Sequence, residues 1–139
     1  MKRLSGFTLL EEQKGEGTPA SKGDRILFNM RLFLSKGDEV LLNETHAKYV
    51  PAEMIRVVDG VTLIEHTIVL GRREAIAGVE HALLGMKVGG YRNVRVSPHL
   101  AYRDKGLPDL VPPNAVLICE IWLRDIVRVL PSKALSGVM

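Results

Sequence analysis

Apolar side chains at Ile26, Phe28, Met30 and Leu32 alternate with Arg25, Leu27, Asn29 and Arg31. A period of two sends one set of side chains to one face, so Asp24–Leu34 is predicted to be a strand with a single buried face. Gly6–Leu10 reads as a shorter edge strand, broken at Lys14–Pro19 by a Gly-acid-Gly turn. After the turn Ser35–Asp38 an extended run restarts over Glu39–Leu42, and Glu65–Leu70 is a further strand. Between Arg72 and Met86 the period changes. Ile76, Val79, Leu83 and Met86 fall at helical spacing, which predicts one helix with a single apolar stripe, ended by Lys87-Val88-Gly89-Gly90. Val94 and Val96 alternate with Tyr91, Asn93 and Arg95 in the next strand, which stops at Ser97-Pro98. The stretch His99–Asn114 is a long irregular loop, Val116–Val129 closes the sheet, and Pro131–Met139 reads as a tail.

Composition narrows the class of protein. A chain of 139 residues makes one domain with a continuous core. With 46% hydrophobic and 25% charged residues, neither disorder nor membrane residence is indicated. The net charge of +3 is dispersed along the chain, and its densest point, Arg72-Arg73, reads as a solvated turn, so no nucleic-acid partner is expected. Glu11-Glu12 follows the apolar stretch at Gly6–Leu10 too soon for a signal peptide, and no run is long enough to cross a bilayer. Cys119 has no second cysteine to pair with and lies in an apolar run, where a buried thiol is the default; a cytoplasmic setting fits. His46, His66, His81 and His99 lack metal-ligand spacing, and no cofactor is called for.

Three ordered blocks remain: LGRREAIAGVEHALLGMKVGG, then VRVSPHLAY, then GLPDLVPPNAVLICEIWL. Together they resemble the FKBP-type peptidyl-prolyl isomerases. The resemblance implies an α+β fold in which an antiparallel half-barrel sheet wraps around one short helix, leaving a proline-binding cleft between them. Against that pattern, Asn43–Glu65 is about 15 residues longer than the compact family, more than a bare loop favours. Met54–Val58 and Val61–Ile64 flank Asp59-Gly60, a two-residue signal for a type I′ turn, so the addition is expected to be a β-hairpin over about 45–64. Removing Thr45–Ile64 is expected to spare folding.

The resemblance also assigns roles. Ile76 stands where the family's helix-entry isoleucine offers its backbone N–H to a ligand carbonyl, with Ala75 in place of the usual valine beside it. Tyr102 matches the tyrosine whose hydroxyl bonds the bound peptide. Leu107, Leu110 and Val111 match the loop residues that cover the proline ring, and His66 stands where an aromatic commonly lines the cleft. Elsewhere rings are missing: Val79 replaces the floor tryptophan, Cys119 a phenylalanine, Met30 a tyrosine, and Val40-Leu41 a phenylalanine-aspartate pair. Smaller groups either widen the pocket or leave it filled by the flexible Met30.

Rotating an X-Pro bond requires neither nucleophile nor metal. The barrier of about 18–20 kcal/mol is amide resonance, and the twisted amide, with less charge on oxygen, is favoured in a dry apolar cleft. These readings converge on one domain over 1–130, with the hairpin at about 45–64 and a tail at 131–139. The expected activity is peptidyl-prolyl cis-trans isomerisation of modest rate, by a monomer acting on proline-containing peptides or proteins, without nucleic acid or membrane partners. The alternative is a non-catalytic protein-binding or chaperone-like module on the same fold.

Overall fold

A computed structural model of the chain describes residues 4–128. Its centre is the antiparallel pairing of β2 (Arg25–Leu34) with β8 (Leu117–Val127), which runs the whole length of β2. β7 (Tyr91–Val96) pairs with the other side of β8, and β1 (Phe7–Gln13) pairs with β7. The far edge of β2 is shared by two strands. β6 (His66–Val69) takes Arg25–Phe28, and β3 (Glu39–Val40) takes Leu32 and Phe33. The result is the α+β sheet-and-helix arrangement expected from the sequence. β1 extends past Leu10 to Gln13, because Glu11, Glu12 and Gln13 continue the ladder on an exposed edge where no apolar alternation marks them. The tail expected at 131–139, and residues 1–3, 129 and 130, lie outside the described residues.

The core fills the space between the inner sheet face and α2 (Ala77–Leu83), with Ile26, Phe28 and Leu32 from β2, Leu117, Cys119 and Ile121 from β8, and Val79, Ala82 and Leu83 from the helix. The helix is shorter than the Arg72–Met86 expected from its stripe. Arg73 has φ +58°, a left-handed conformation that cannot start a helix, and Ile76 is still extended at φ −59°, ψ 148°. At the other end Gly85, with φ +83°, turns the chain four residues before the Gly89 of the predicted stop.

Seven residues make too short a helix to stand alone, so packing must hold it. Near its start a Cβ on Gly78 would sit 2.8 Å from Val96 Cγ2 and 3.2 Å from the Leu100 carbonyl, so backbone lies directly on β7 there. Near its end the buried Arg92 guanidinium donates from Nη1 to the carbonyls of Ala82 (2.8 Å) and Leu84 (2.9 Å), and from Nε to Glu12 (2.7 Å). These are helix-terminal acceptors that have no intrahelical donor, and a cation suits that end of the dipole.

The added segment is more than a hairpin. It opens with a helical turn, α1 (Leu42–Ala47), followed by a 3₁₀ turn at Ala52–Met54 and then β4 (Ile55–Val58) and β5 (Val61–Ile64). The expected extended run at Glu39–Leu42 therefore stops at Val40. Asp59 (φ 50°) and Gly60 (φ 78°) join β4 and β5 with two positive φ angles, as a type I′ turn requires. Between β6 and β3 the edge of β2 has no strand partner, and here Asn43 donates to the Met30 carbonyl at 2.8 Å. Asn43 also accepts from the Ile64 N–H (3.3 Å), and the Ile64 carbonyl accepts from Asn29 at 2.7 Å. Asn29, on the face of β2 that the alternation leaves polar, is thereby 0% exposed.

Excising Thr45–Ile64 would thus leave the Asn29 amide nitrogen and the Asn43 amide oxygen unmet in the interior, contrary to the expectation that folding is spared, since each buried unmet polar group costs about 1–3 kcal/mol. The single change Asn43→Ala is expected to lower unfolding free energy by about 2 kcal/mol in urea titration. A loss below about 0.5 kcal/mol would show that the segment is only draped over the sheet.

Candidate functional site

The loop after β7 is held by its own backbone. Pro98 starts a 3₁₀ turn through Leu100, and Arg103 N–H returns to the Pro98 carbonyl at 2.9 Å. Gly106 bonds back to Tyr102 O at 3.0 Å, while Leu107 and Val111 exchange two bonds of 2.8 Å. Gly106 has φ +64°, and a Cβ there would run into the Val111 carbonyl, so only glycine closes this turn. Asn114 N–H donates to Arg103 O at 2.8 Å and ties off the loop. Tyr102, Leu107 and Leu110 are thereby packed against the same core that Ala75 and Ile76 border from the start of α2.

Most of the residues singled out in the sequence belong to the core or pack against it, at two depths. Met30, Val40, Val79, Val111 and Cys119 form the buried layer, with Val79 and Cys119 0% exposed. Ala75, Ile76, Tyr102, Leu107 and Leu110 form a half-buried layer above it. Val79 and Cys119 present no surface to a ligand, whereas the half-buried residues do. Burial pushes the Cys119 thiol up to about 12 and removes it as a nucleophile. Burial, with the Cys119 thiol beside it, also raises Tyr102 above the ordinary phenol value. Its hydroxyl stays protonated at neutral pH and makes no hydrogen bond within the described residues. The Ile76 N–H, ahead of the first helical turn, likewise has no protein acceptor there.

Two residues lie elsewhere. Leu41 stands just before α1, and as the chain turns into the helix its side chain is thrown outward, 49% exposed, while Leu42 goes inward at 7%. It lines a shallow depression with Glu39, Asn43 and the hairpin turn at Gly60–Thr62, away from the buried layer. His66 is registered opposite Phe28 and stacks on its ring, with centroids 5.3 Å apart and planes at 24°. Its Nε2 is buried with no partner, and burial, with His46 adding a smaller repulsion, lowers its pKa to about 4. The sequence pattern does not single out Gly78 or Arg92; a glycine inside a helical stripe and a charge at a strand start are the only marks they leave.

The arrangement can do one kind of chemistry well. It offers an apolar surface with one free hydroxyl and one free backbone donor, and no titrating pair or activated nucleophile among its members. That suits holding a peptide turn and drying a proline amide, and does not suit acyl or phosphoryl transfer.

Known proteins carry the same pattern. The family described as FKBP-type peptidyl-prolyl cis-trans isomerase matches residues 16–124. FK506-binding protein 4 of Chaetomium thermophilum is 29% identical over 126 residues, 91% of this chain and 22% of that protein. FK506-binding protein 1A of Neurospora crassa is 28% identical over 125 residues, covering 89% of this chain and 91% of its own length. FK506-binding protein 2 of Candida glabrata is 42% identical over 59 residues, 42% of this chain and 43% of that protein. The chain thus spans about a fifth of the length of the first of these relatives and nearly all of the second.

His66 gives the fold a pH dependence. The folded protein disfavours its proton, while the unfolded chain takes one near 6.5, so the stabilisation is complete above about pH 6.5 and is lost as pH falls toward 4. The loss is on the order of 3 kcal/mol over that range. His66→Phe, which keeps the stack on Phe28, is expected to flatten the fall in unfolding free energy between pH 6.5 and 4.5; equal slopes in both proteins would refute the assignment.

Proposed function

Because the chain belongs to the FKBP-type peptidyl-prolyl cis-trans isomerase family, we propose that it catalyses cis-trans rotation about X-Pro bonds in peptides and proteins. Two observations support this reading: the Tyr102 hydroxyl and the Ile76 N–H both lack protein partners among the described residues, and both belong to half-buried residues packed against the same core. The proline ring lies on Ala75, Leu107 and Leu110, where water is excluded from the amide. Planar amides are stabilised by water at the carbonyl oxygen; the twisted form, with less charge there, loses less in this environment. The Ile76 N–H and the Tyr102 hydroxyl hold carbonyls of the flanking peptide, so that the segment stays in a turn while the amide rotates.

With Val79 and Cys119 fully buried, binding energy comes from the half-buried residues, which supports modest activity on exposed proline segments. We read 1–130 as the catalytic domain and 45–64 as its added segment. The partners proposed are proline-containing protein clients, met by a monomer in the cytoplasm, with a role in protein folding akin to a chaperone's and no nucleic acid or membrane involved.

Exchange NMR on a set of short X-Pro peptides is expected to show faster cis-trans interconversion in the presence of the protein. Tyr102→Phe should cut the acceleration about 2- to 10-fold, as the loss of one neutral hydrogen bond implies, while leaving thermal unfolding nearly unchanged. No acceleration of any peptide by folded protein would sink the catalytic reading and leave a binding module.

A further inference from the structure

A second cleft lies across the sheet's other end, where β1, β7 and the turn after α2 meet. It is a space of about 250 Å³ walled by Leu9 and Met86, with Tyr91 at its edge, Glu12, Lys14, Lys87 and Arg92 as its charged members and Gly15, Gly85 and Gly90 as bare backbone. None of these residues belongs to the Tyr102 site.

The charges in this cleft do not balance. Glu12 is engaged by Arg92 Nε at 2.7 Å, which leaves Lys14 and Lys87 with no carboxylate among the described residues, and hence a net charge of two positives. Arg92 itself is only 7% exposed. Its Nε and Nη1 are used on Glu12 and the helix carbonyls, but Nη2 makes no hydrogen bond. That nitrogen is not sealed off, since it is absent from the fully buried unpartnered atoms, and it lies 3.8 Å from where a Cβ on Gly85 would stand, on the cleft wall. A buried guanidinium with one arm unused is costly unless something polar meets it. Glycine at 15 is required here: a Cβ would strike the carbonyls of Val88 and Lys87 and the Gly90 nitrogen, so the backbone comes close and stays narrow.

We propose that this cleft binds a small organic oxyanion, a carboxylate or phosphate group with a short apolar arm. The anionic group accepts from Arg92 Nη2 and is flanked by Lys14 and Lys87, while the arm lies on Leu9 and Met86. Glu12 stays on Nε, where it fixes the guanidinium plane and keeps Nη2 turned to the ligand. The same guanidinium secures the end of α2, so an anion on Nη2 tightens the helix from the side opposite Ile76.

Titration of the ¹⁵N-labelled protein with inorganic phosphate and, separately, with butyrate, at fixed ionic strength in chloride, tests this. Amide shifts at Gly15, Gly85, Lys87 and Gly90, with a shift of the Arg92 side-chain N–H signals, are expected to saturate with a Kd on the order of 1 mM. Saturation by phosphate alone identifies a phosphate ligand, saturation by butyrate alone a carboxylate, and saturation by both the shared oxyanion chemistry. Arg92→Ala loosens the helix and is a poor test by itself. The double variant Lys14→Gln/Lys87→Gln, with Lys14 exposed and Lys87 half-buried, leaves Arg92 and its helix contacts in place and should raise Kd about tenfold or more. Absence of saturable shifts with either probe, or an unchanged Kd in the double variant, overturns the proposal whether or not the protein is an isomerase.

Discussion

The backbone of α2 at Gly78 rests directly on the Val96 side chain of the sheet, with no side chain of its own between, and the rest of the molecule is arranged around that contact. Val96 and the Leu100 carbonyl occupy the space that a Cβ would need. Such close approach brings Val79, the next residue, fully into the core, and fixes how far Ile76 stands above the sheet. Arg92 then holds the opposite end of the helix by its last carbonyls. A seven-residue helix has little stability of its own, so two anchors of different chemistry, one steric and one ionic, define its position.

Exchanging rings for aliphatic groups beneath the site has a physical consequence distinct from simple loss of contact. Rings of fixed shape would prop a pocket open; valine, methionine and cysteine at these positions are small or flexible enough to settle together until no surface is left. A shallow apolar shelf is drier than water but touches less of a ligand than a deep slot does. Such a surface suits a small apolar group better than a large rigid one.

Much of the fold was legible in the sequence because period-two and period-3.6 patterns follow directly from one-sided burial. β2 and β7 show this, and Asp59-Gly60 announced its turn through backbone chemistry alone. Other features carried no such mark. The helix start was placed too early because Arg72–Ala75 suits a helix in composition, and only the left-handed Arg73 interrupts it. α1 hides in a stretch whose apolar residues are too few to show a period, and Leu41 and Leu42 look interchangeable until the chain turns between them. Within the site, Tyr102, Leu107, Leu110 and Val111 were given by the resemblance to the family, residue by residue. Asn29, Asn43 and Arg92 were not, since a buried polar residue looks like an exposed one until its distant partners are known.

Consider the join between the added segment and β2. One asparagine replaces a missing length of strand, giving and receiving hydrogen bonds as a backbone unit would, while the turn that caps β4 and β5 touches nothing so demanding. The segment is therefore anchored at its root and unconstrained at its tip. The tip is held by its own two-residue turn, whereas Asn43 and the backbone at Ile64 form a fixed socket. A fold with such a socket can exchange one appendage for another without rebuilding the sheet that carries it.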